Sequence, residues 1–100
     1  GLMRTLAREL GPYWVRVNTI HPTGVSTDMF LNEAMYRLFV PDTEQPTLED
    51  VLPSFRQMNV LPTPWVEPGD VSNAVVFLCS DDARFITGNE LKIDAGYCIK

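Results

Sequence analysis

The sequence contains no long hydrophobic run and no excess of positive charge. None of its apolar segments approaches the roughly 20 residues that a membrane-spanning helix requires, and no basic stretch followed by an apolar one suggests a secretory signal. The formal net charge is -5 and the pI is near 4.6. This balance disfavours nucleic acid, whose binders gather Lys and Arg on one face. We therefore expect a cytoplasmic chain with neither a membrane nor a nucleic-acid partner.

Metal ligands and paired cysteines are also scarce. The single histidine, His21, and two distant cysteines, Cys79 and Cys98, make a poor ligand set for zinc, so no metal site is predicted. The cysteines lie in apolar stretches without C-x-x-C spacing, which favours free, buried thiols over a disulfide. With 45% hydrophobic and 21% charged residues, the composition is typical of a globular domain.

The first 20 residues carry the pattern of a helix followed by a strand. Apolar spacing predicts an amphipathic helix over residues 1–10, ended at Gly11-Pro12 by a glycine in the left-handed conformation. The alternation over residues 14–20 predicts a strand, in which Asn18 satisfies a backbone group. Because the helix has no N-cap residue and begins with Gly1, we expect that the chain starts inside a helix.

A turn and an irregular segment follow. Ser26, Thr27 or Asp28 is predicted to cap a helix over residues 29–39, with Glu33 and Arg37 as an i,i+4 pair. The proline-rich stretch after it predicts short helices and loop. In that stretch residues 47–50 are predicted to cap a short turn, and Pro53 is expected to prevent one long helix through Met58.

The last third of the chain predicts a second helix and strand pair. A helix is expected from Pro68 to about Ser80, because Val71, Ala74, Val75 and Leu78 recur at helical spacing. The stretch "ITGNELKID" predicts a strand with Leu91 and Ile93 buried. Strands joined through helices indicate parallel pairing and the α/β class. Two parallel strands are too few for a stable sheet, so a larger protein or a partner is expected to supply the rest.

Two stretches, "RVNTIHPTGVSTDM" and "WVEPGDVSNAVVFLCSDDARFITGNELKIDAG", with their order and spacing, resemble the carboxyl half of a short-chain dehydrogenase/reductase. The resemblance covers essentially the whole chain. "HPTGV", "PDTEQPTLED" and "LPTPWVEPGDVSNAV" are similar to a narrower group, the carveol-dehydrogenase-like enzymes of actinobacteria, associated with the peptide redox carrier mycofactocin. The implied fold is the carboxyl-terminal part of a doubly wound (Rossmann) parallel sheet, with residues 1–100 a portion of one domain whose amino-terminal half is absent.

The resemblance implies a cofactor-binding turn after the first strand. In doubly wound sheets, ligands bind outside the carboxyl ends of the strands. By resemblance, Pro22 lies beside the nicotinamide ring, Val25 offers backbone groups to its carboxamide, and Thr27 bonds the carboxamide or pyrophosphate; a helix beginning near Thr27 would also suit the pyrophosphate. The family's usual Pro-Gly is Pro22-Thr23 here, so either Thr23 adopts a positive φ or the turn is built around Gly24. The implied cofactor is NAD, with NADP left open because the residue that reads the adenosine ribose is not in this chain.

The implied substrate is a small apolar alcohol or ketone. The excursion over residues 28–64 corresponds to the family's substrate-covering loop. Its apolar side chains have two interpretations, the lining of a pocket or ordinary core. The candidate lining residues are Met29, Phe30, Met35, Tyr36 and Phe39, with Leu38 beside them. The family's Asp-Gly-Gly near the end is Asp94-Ala95-Gly96 here. This tail and the helix from Pro68 commonly form subunit contacts in the family, so the resemblance implies a homo-oligomer.

The resemblance also implies catalytic groups that this chain does not carry. The family transfers hydride with a Tyr-x-x-x-Lys pair assisted by Ser and Asn, where Lys lowers the pKa of Tyr. These are expected upstream of Gly1, so no catalytic residue is assigned. Tyr97 and Lys100 have the wrong spacing. His21 has no partner to make it a general base, and Asp81-Asp82 is expected to be solvated.

Two functions therefore compete. The first is a portion of an NAD(P)-dependent alcohol or ketone oxidoreductase that supplies nicotinamide contacts, a substrate loop and an oligomer interface, and that is inactive alone. The second is a noncatalytic fragment that oligomerises or binds a partner through exposed apolar faces.

Overall fold

A computed structural model describes all residues, 1–100. The chain contains four helices, two strands and three short 3-10 turns. The helices are α1 (Leu2–Leu10), α2 (Glu33–Phe39), α3 (Leu48–Gln57) and α4 (Pro68–Cys79); the strands are β1 (Thr19–Pro22) and β2 (Glu90–Ile93); the 3-10 turns are Gly11–Tyr13, Asp81–Ala83 and Tyr97–Ile99. The strands form one two-stranded parallel sheet, which confirms the α/β class. No helix is both long and apolar enough to span a membrane.

The chain divides into two compact units. The first comprises residues 1–21 and 69–93, and the second comprises residues 22–68 and 94–100. The first unit holds α1, α4 and nearly all of the sheet. The second holds the turn after β1 and the irregular excursion with α2 and α3.

The end of α1 differs from its prediction. Gly11 has a right-handed φ of -55° and continues into the 3-10 turn rather than reversing the chain. The left-handed residue is Trp14, with φ 60°. The turn is closed by the Trp14 N–H, which donates to the Gly11 carbonyl at 2.9 Å. The chain therefore changes direction three residues later than the Gly-Pro signal predicted.

Strand β1 is shorter than the alternation over residues 14–20 predicted. Before Thr19, side chains replace part of the backbone ladder: the Asn18 amide donates to the Ile86 carbonyl and accepts from the Asn89 N–H, both at 3.0 Å. This confirms that Asn18 satisfies backbone groups. Arg16 donates to the Leu78 carbonyl at 2.6 Å, so its guanidinium covers carbonyls at the end of α4, where cations are favoured.

Helix α4 and strand β2 follow their predictions. Helix α4 begins at Pro68 and ends at Cys79, directly before Ser80. Strand β2 alternates as expected, with Leu91 and Ile93 less exposed than their neighbours. Val75, one of the four apolar residues whose spacing predicted α4, is 43% exposed.

In the second unit, α2 starts four residues later than the predicted start at Met29, at Glu33. Its cap is Asn32, whose side chain accepts from the Met35 N–H at 2.8 Å, instead of Ser26, Thr27 or Asp28. Residues 26–32 form bends and turns. The expected pair of Glu33 and Arg37 is present at 2.5 Å.

Helix α3 overturns the expectation that Pro53 ends it. Its start has the predicted capping box, in which Asp50 accepts from the Thr47 N–H at 2.8 Å. The helix then runs through Pro53 to Gln57. Val51 and Phe55 on this helix are fully buried. Their burial stabilises the helix enough to offset the backbone hydrogen bond that an interior proline removes and the clash of its ring with the preceding turn.

Several smaller expectations are settled by exposure. Cys79 and Cys98 are both exposed, so the prediction of buried thiols is wrong. Asp81 and Asp82 are exposed in a 3-10 turn, as predicted. Ala95 has φ 51° and Gly96 has φ 85°, so alanine occupies a left-handed position that favours glycine.

Candidate functional site

The predicted cofactor turn lies at the end of β1 and runs from Pro22 to Thr27. Thr23 does not have a positive φ, and neither does Gly24. The turn therefore needs no left-handed residue after Pro22, which removes the cost expected of threonine at this position. The expectation of a helix N-terminus near Thr27 is wrong, because the nearest helix begins at Glu33.

A single parallel bridge fixes this turn. Val25 pairs with Val66. The Val66 N–H donates to the Gly24 carbonyl at 2.9 Å, and the Ser26 N–H donates to the Val66 carbonyl at 3.1 Å. In a parallel bridge, one residue bonds through its N–H and its carbonyl to the two neighbours of the opposite residue. Here Val66 bonds to Gly24 and Ser26, so the N–H and the carbonyl of Val25 point away from Val66.

The N–H and the carbonyl of Val25 differ in whether they are hydrogen-bonded within the chain. Its carbonyl accepts from the Thr27 N–H at 2.7 Å and, weakly, from the Thr27 hydroxyl at 3.5 Å. Its N–H makes no hydrogen bond within the chain. The turn thus presents one backbone donor without an acceptor in the chain, which is suited to an amide oxygen or another neutral acceptor.

A carboxylate lies beside the bridge. Glu67 accepts a hydrogen bond from the Ser26 hydroxyl and another, through its second oxygen, from the Trp65 indole N–H at 3.0 Å. These bonds join the turn to the residues on either side of Val66. Sequence reasoning missed them, since Ser26 was considered only as a helix cap and Glu67 only as part of a motif.

The predicted substrate-lining residues occupy different environments. Phe30 and Phe39 are half-buried and pack against the fully buried Phe55, with ring centroids 4.8 Å and 4.7 Å from it. Met35 and Tyr36 are also half-buried. Met29 is 88% exposed. Two of the five thus belong to an aromatic cluster with Phe55, which the sequence analysis did not single out.

The Phe30 ring also contacts the turn. A Cβ placed on Gly24 would lie only 2.5 Å from the Phe30 Cζ. Glycine at this position therefore lets the ring pack directly on the backbone. This contact links the predicted cofactor turn to the aromatic cluster within the second unit.

His21 is exposed, and its Nε2 lies 2.9 Å from the Thr19 hydroxyl. A neutral hydroxyl cannot orient an imidazole as a carboxylate does in a catalytic relay. No group of three or more His, Cys, Asp or Glu side chains is placed to hold a metal ion.

Comparison with known families identifies the class of protein to which this chain belongs. A family model described as enoyl-(acyl carrier protein) reductase matches residues 1–98. The chain belongs to this family, within the short-chain dehydrogenases/reductases.

Comparison with individual proteins gives more specific similarities. The chain is 56% identical over 100 residues to a (-)-trans-carveol dehydrogenase of Rhodococcus erythropolis, covering all of this chain and 36% of the relative. A crystal structure of a carveol dehydrogenase from Mycobacterium avium in complex with NAD superposes with a TM-score of 0.97 at 51% identity, again covering all of this chain and 36% of the other. A short-chain dehydrogenase family protein from Francisella tularensis gives a TM-score of 0.82 at 27% identity, covering 99% of this chain and 39% of that one. The chain thus spans little more than a third of the length of these proteins.

Proposed function

We propose that this chain is a portion of an NAD(P)-dependent oxidoreductase that interconverts a secondary alcohol and a ketone by hydride transfer. Residues 1–100 form part of one Rossmann-fold domain, with residues 28–64 as its substrate-covering excursion. The relatives named carveol dehydrogenase support the substrate class, a small apolar alcohol or ketone. The NAD in the Mycobacterium avium crystal structure supports the cofactor.

The observation that carries this proposal is the N–H of Val25, which has no hydrogen-bond partner within the chain. The bridge to Val66 points this donor away from the facing segment, and the nicotinamide carboxamide has an oxygen that can accept from it. Pro22 supplies an apolar ring at the end of β1, and the Thr27 hydroxyl, exposed and only weakly bonded at 3.5 Å, supplies a further donor. Residues Pro22, Thr23, Gly24, Val25 and Thr27 would hold the cofactor's nicotinamide side. When bound, the cofactor accepts or donates the hydride.

The chain's own contribution to the chemistry is positioning. A donor held on a hydrogen-bonded bridge costs no reorganisation when the ligand arrives, which favours one orientation of the ring. Proton transfer to the alcohol oxygen needs the Tyr-x-x-x-Lys pair, which this chain does not contain. We therefore propose that the isolated chain is inactive and that other polypeptide supplies this pair.

Substrate contacts are proposed for the excursion. Met29, which is exposed, and Met35 and Tyr36, which are half-buried, are the candidates with surface left for a ligand. Phe30 and Phe39 would act chiefly by shaping the excursion through Phe55. A homo-oligomer is also proposed, because Val76 and Phe77 of α4 are 67% and 44% exposed and exposed apolar groups of this kind favour association.

The same exposed side chains support the rival function, a noncatalytic fragment that only associates. Nucleotide binding separates the two hypotheses. The test uses a grafted enzyme, in which this chain replaces the matching segment of the Rhodococcus carveol dehydrogenase. NADH binding is followed by nicotinamide fluorescence for the free chain and for the grafted enzyme, and carveol oxidation is followed for the grafted enzyme.

The expected result is nucleotide binding and activity in the grafted enzyme and no activity in the free chain. Val25→Pro removes the proposed donor, and Val25→Ile is its control. Neither bond of Val66 uses the Val25 N–H, so the bridge can survive the proline. We expect Val25→Pro alone to weaken NADH binding. A well-folded grafted enzyme that ignores nucleotide would favour the rival.

A further inference from the structure

Glu67 links the proposed cofactor turn to the facing segment that holds Trp65 and Val66. Its Oε2 accepts from the hydroxyl of Ser26, inside the turn, and its Oε1 accepts from the indole N–H of Trp65, in the facing segment. Both bonds are charge-assisted, which makes them stronger than bonds between neutral groups. One carboxylate thus connects two stretches that lie 41 residues apart in the sequence.

The bridge that these bonds flank is small. Val25 and Val66 form an isolated bridge outside the named strands, held by two backbone bonds of 2.9 Å and 3.1 Å. An isolated bridge has no neighbouring ladder to support it, so it opens more readily than a strand within a sheet. One of the two Glu67 bonds is to Ser26, the residue whose N–H closes the bridge, and this bond therefore opposes the opening of the bridge.

We propose that Glu67 is a positioning residue for the nicotinamide-side turn. It acts through Ser26 and the Val25–Val66 bridge, and it fixes the direction in which the Val25 N–H points. This inference rests on the proposed function, because the direction of that N–H matters only if a nucleotide accepts from it. Nothing in the proposal requires Glu67 to touch the cofactor.

The chemistry of the two partners predicts how substitutions differ. The indole N–H of Trp65 only donates, whereas the Ser26 hydroxyl can either donate or accept. Glu67→Gln therefore keeps both links: its amide oxygen accepts from Trp65 and its amide N–H donates to Ser26. Glu67→Ala keeps neither. The conservative variant should rescue a positioning role even though it removes the negative charge.

The experiment uses the grafted enzyme defined above, with two readouts. Amide hydrogen exchange, resolved by NMR, reports on the Ser26 and Val66 N–H groups, and the Asp50 N–H, bonded to the Thr47 carbonyl at 3.1 Å, serves as an internal reference. Fluorescence titration gives the Kd for NADH, and steady-state kinetics separates KM for NAD from kcat. Glu44→Ala, at another exposed glutamate of the second unit, is the matched control.

We expect Glu67→Ala to speed exchange at Ser26 and Val66 but not at Asp50. It should also raise the Kd for NADH about five-fold, the size expected when the charge-assisted link from Glu67 to Ser26 in the turn is lost. Glu67→Gln and Glu44→Ala should stay within about two-fold of the parent. Because Glu67 acts through Ser26, adding Ser26→Ala to Glu67→Ala should cause little further loss.

Two outcomes overturn the proposal. In one, exchange at Ser26 and Val66 is unchanged by Glu67→Ala. In the other, Glu67→Gln weakens binding as much as Glu67→Ala, which would make charge rather than the two links the cause. A parent grafted enzyme that binds no NADH refutes the proposed function and, with it, the role of Glu67 toward the cofactor, while the exchange data still decide whether Glu67 closes the bridge.

Discussion

The contact between Gly24 and Phe30 gives the sharpest stability prediction. In Gly24→Ala the new Cβ would lie 2.5, 2.8 and 2.9 Å from the Cζ, Cε1 and Cε2 atoms of Phe30, well inside the ~3.5 Å at which carbon atoms pack. The ring also packs on Phe55, with centroids 4.8 Å apart, so moving it disturbs the buried cluster. Overpacking of this kind costs about 1–3 kcal/mol. Because Gly24 does not have a positive φ, the backbone adds no strain of its own.

The assay is thermal unfolding followed by circular dichroism, in which a loss of 1 kcal/mol lowers the Tm of a domain this size by roughly 4–8 °C. The control background is Phe30→Leu, because leucine lacks all three clashing atoms. We expect Gly24→Ala to be costly in the parent and nearly neutral in Phe30→Leu, a coupling of about 1–2 kcal/mol. An equal loss in both backgrounds would refute the packing explanation and assign the cost to the backbone of the turn.

Three further substitutions test the fold in the same assay. Ala95→Gly should raise stability by about 1 kcal/mol, because alanine at φ 51° occupies a region that favours glycine; a lower Tm would contradict this. Pro53→Ala should raise stability by about 1–3 kcal/mol, since Pro53 is exposed and alanine restores the donor to the Glu49 carbonyl and the space that an interior proline removes. Arg16→Met should cost about 1–2 kcal/mol and destabilise the end of α4, because Arg16 is part-buried and donates to the Leu78 carbonyl at 2.6 Å; no change would mean that water replaces the guanidinium at no cost.

The elements that the sequence predicted well are those whose signals are local. The capping box of residues 47–50 depends on two side chains three positions apart, and the alternation of β2 is a property of four consecutive residues. Predictions failed where a distant contact outweighed the local signal. Pro53 is unfavourable within a helix, but Val51 and Phe55 on either side of it are fully buried, and their packing decides the outcome.

The candidate site shows the same division. The turn residues 22–27 could be proposed as a cofactor site by resemblance to a known motif, because they are contiguous. Their partners could not, because Val66 and Glu67 lie about 40 residues further along the chain and no local pattern predicts an isolated bridge. The late start of α2 was missed because Asn32, the actual cap, lies inside the apolar stretch that predicted the helix.

The distribution of buried residues bears on how the chain works. In the first unit the only buried apolar residues are two alanines, Ala7 and Ala83, whereas Trp14 and Phe85 are each at least 75% exposed. Two alanines bury too little apolar area to stabilise a unit of this size, and a parallel sheet is normally covered on both faces. Since the second unit has its own buried aromatic cluster, the deficit lies in the unit that carries the sheet. This imbalance supports the expectation that a larger protein or a partner supplies the rest of the sheet.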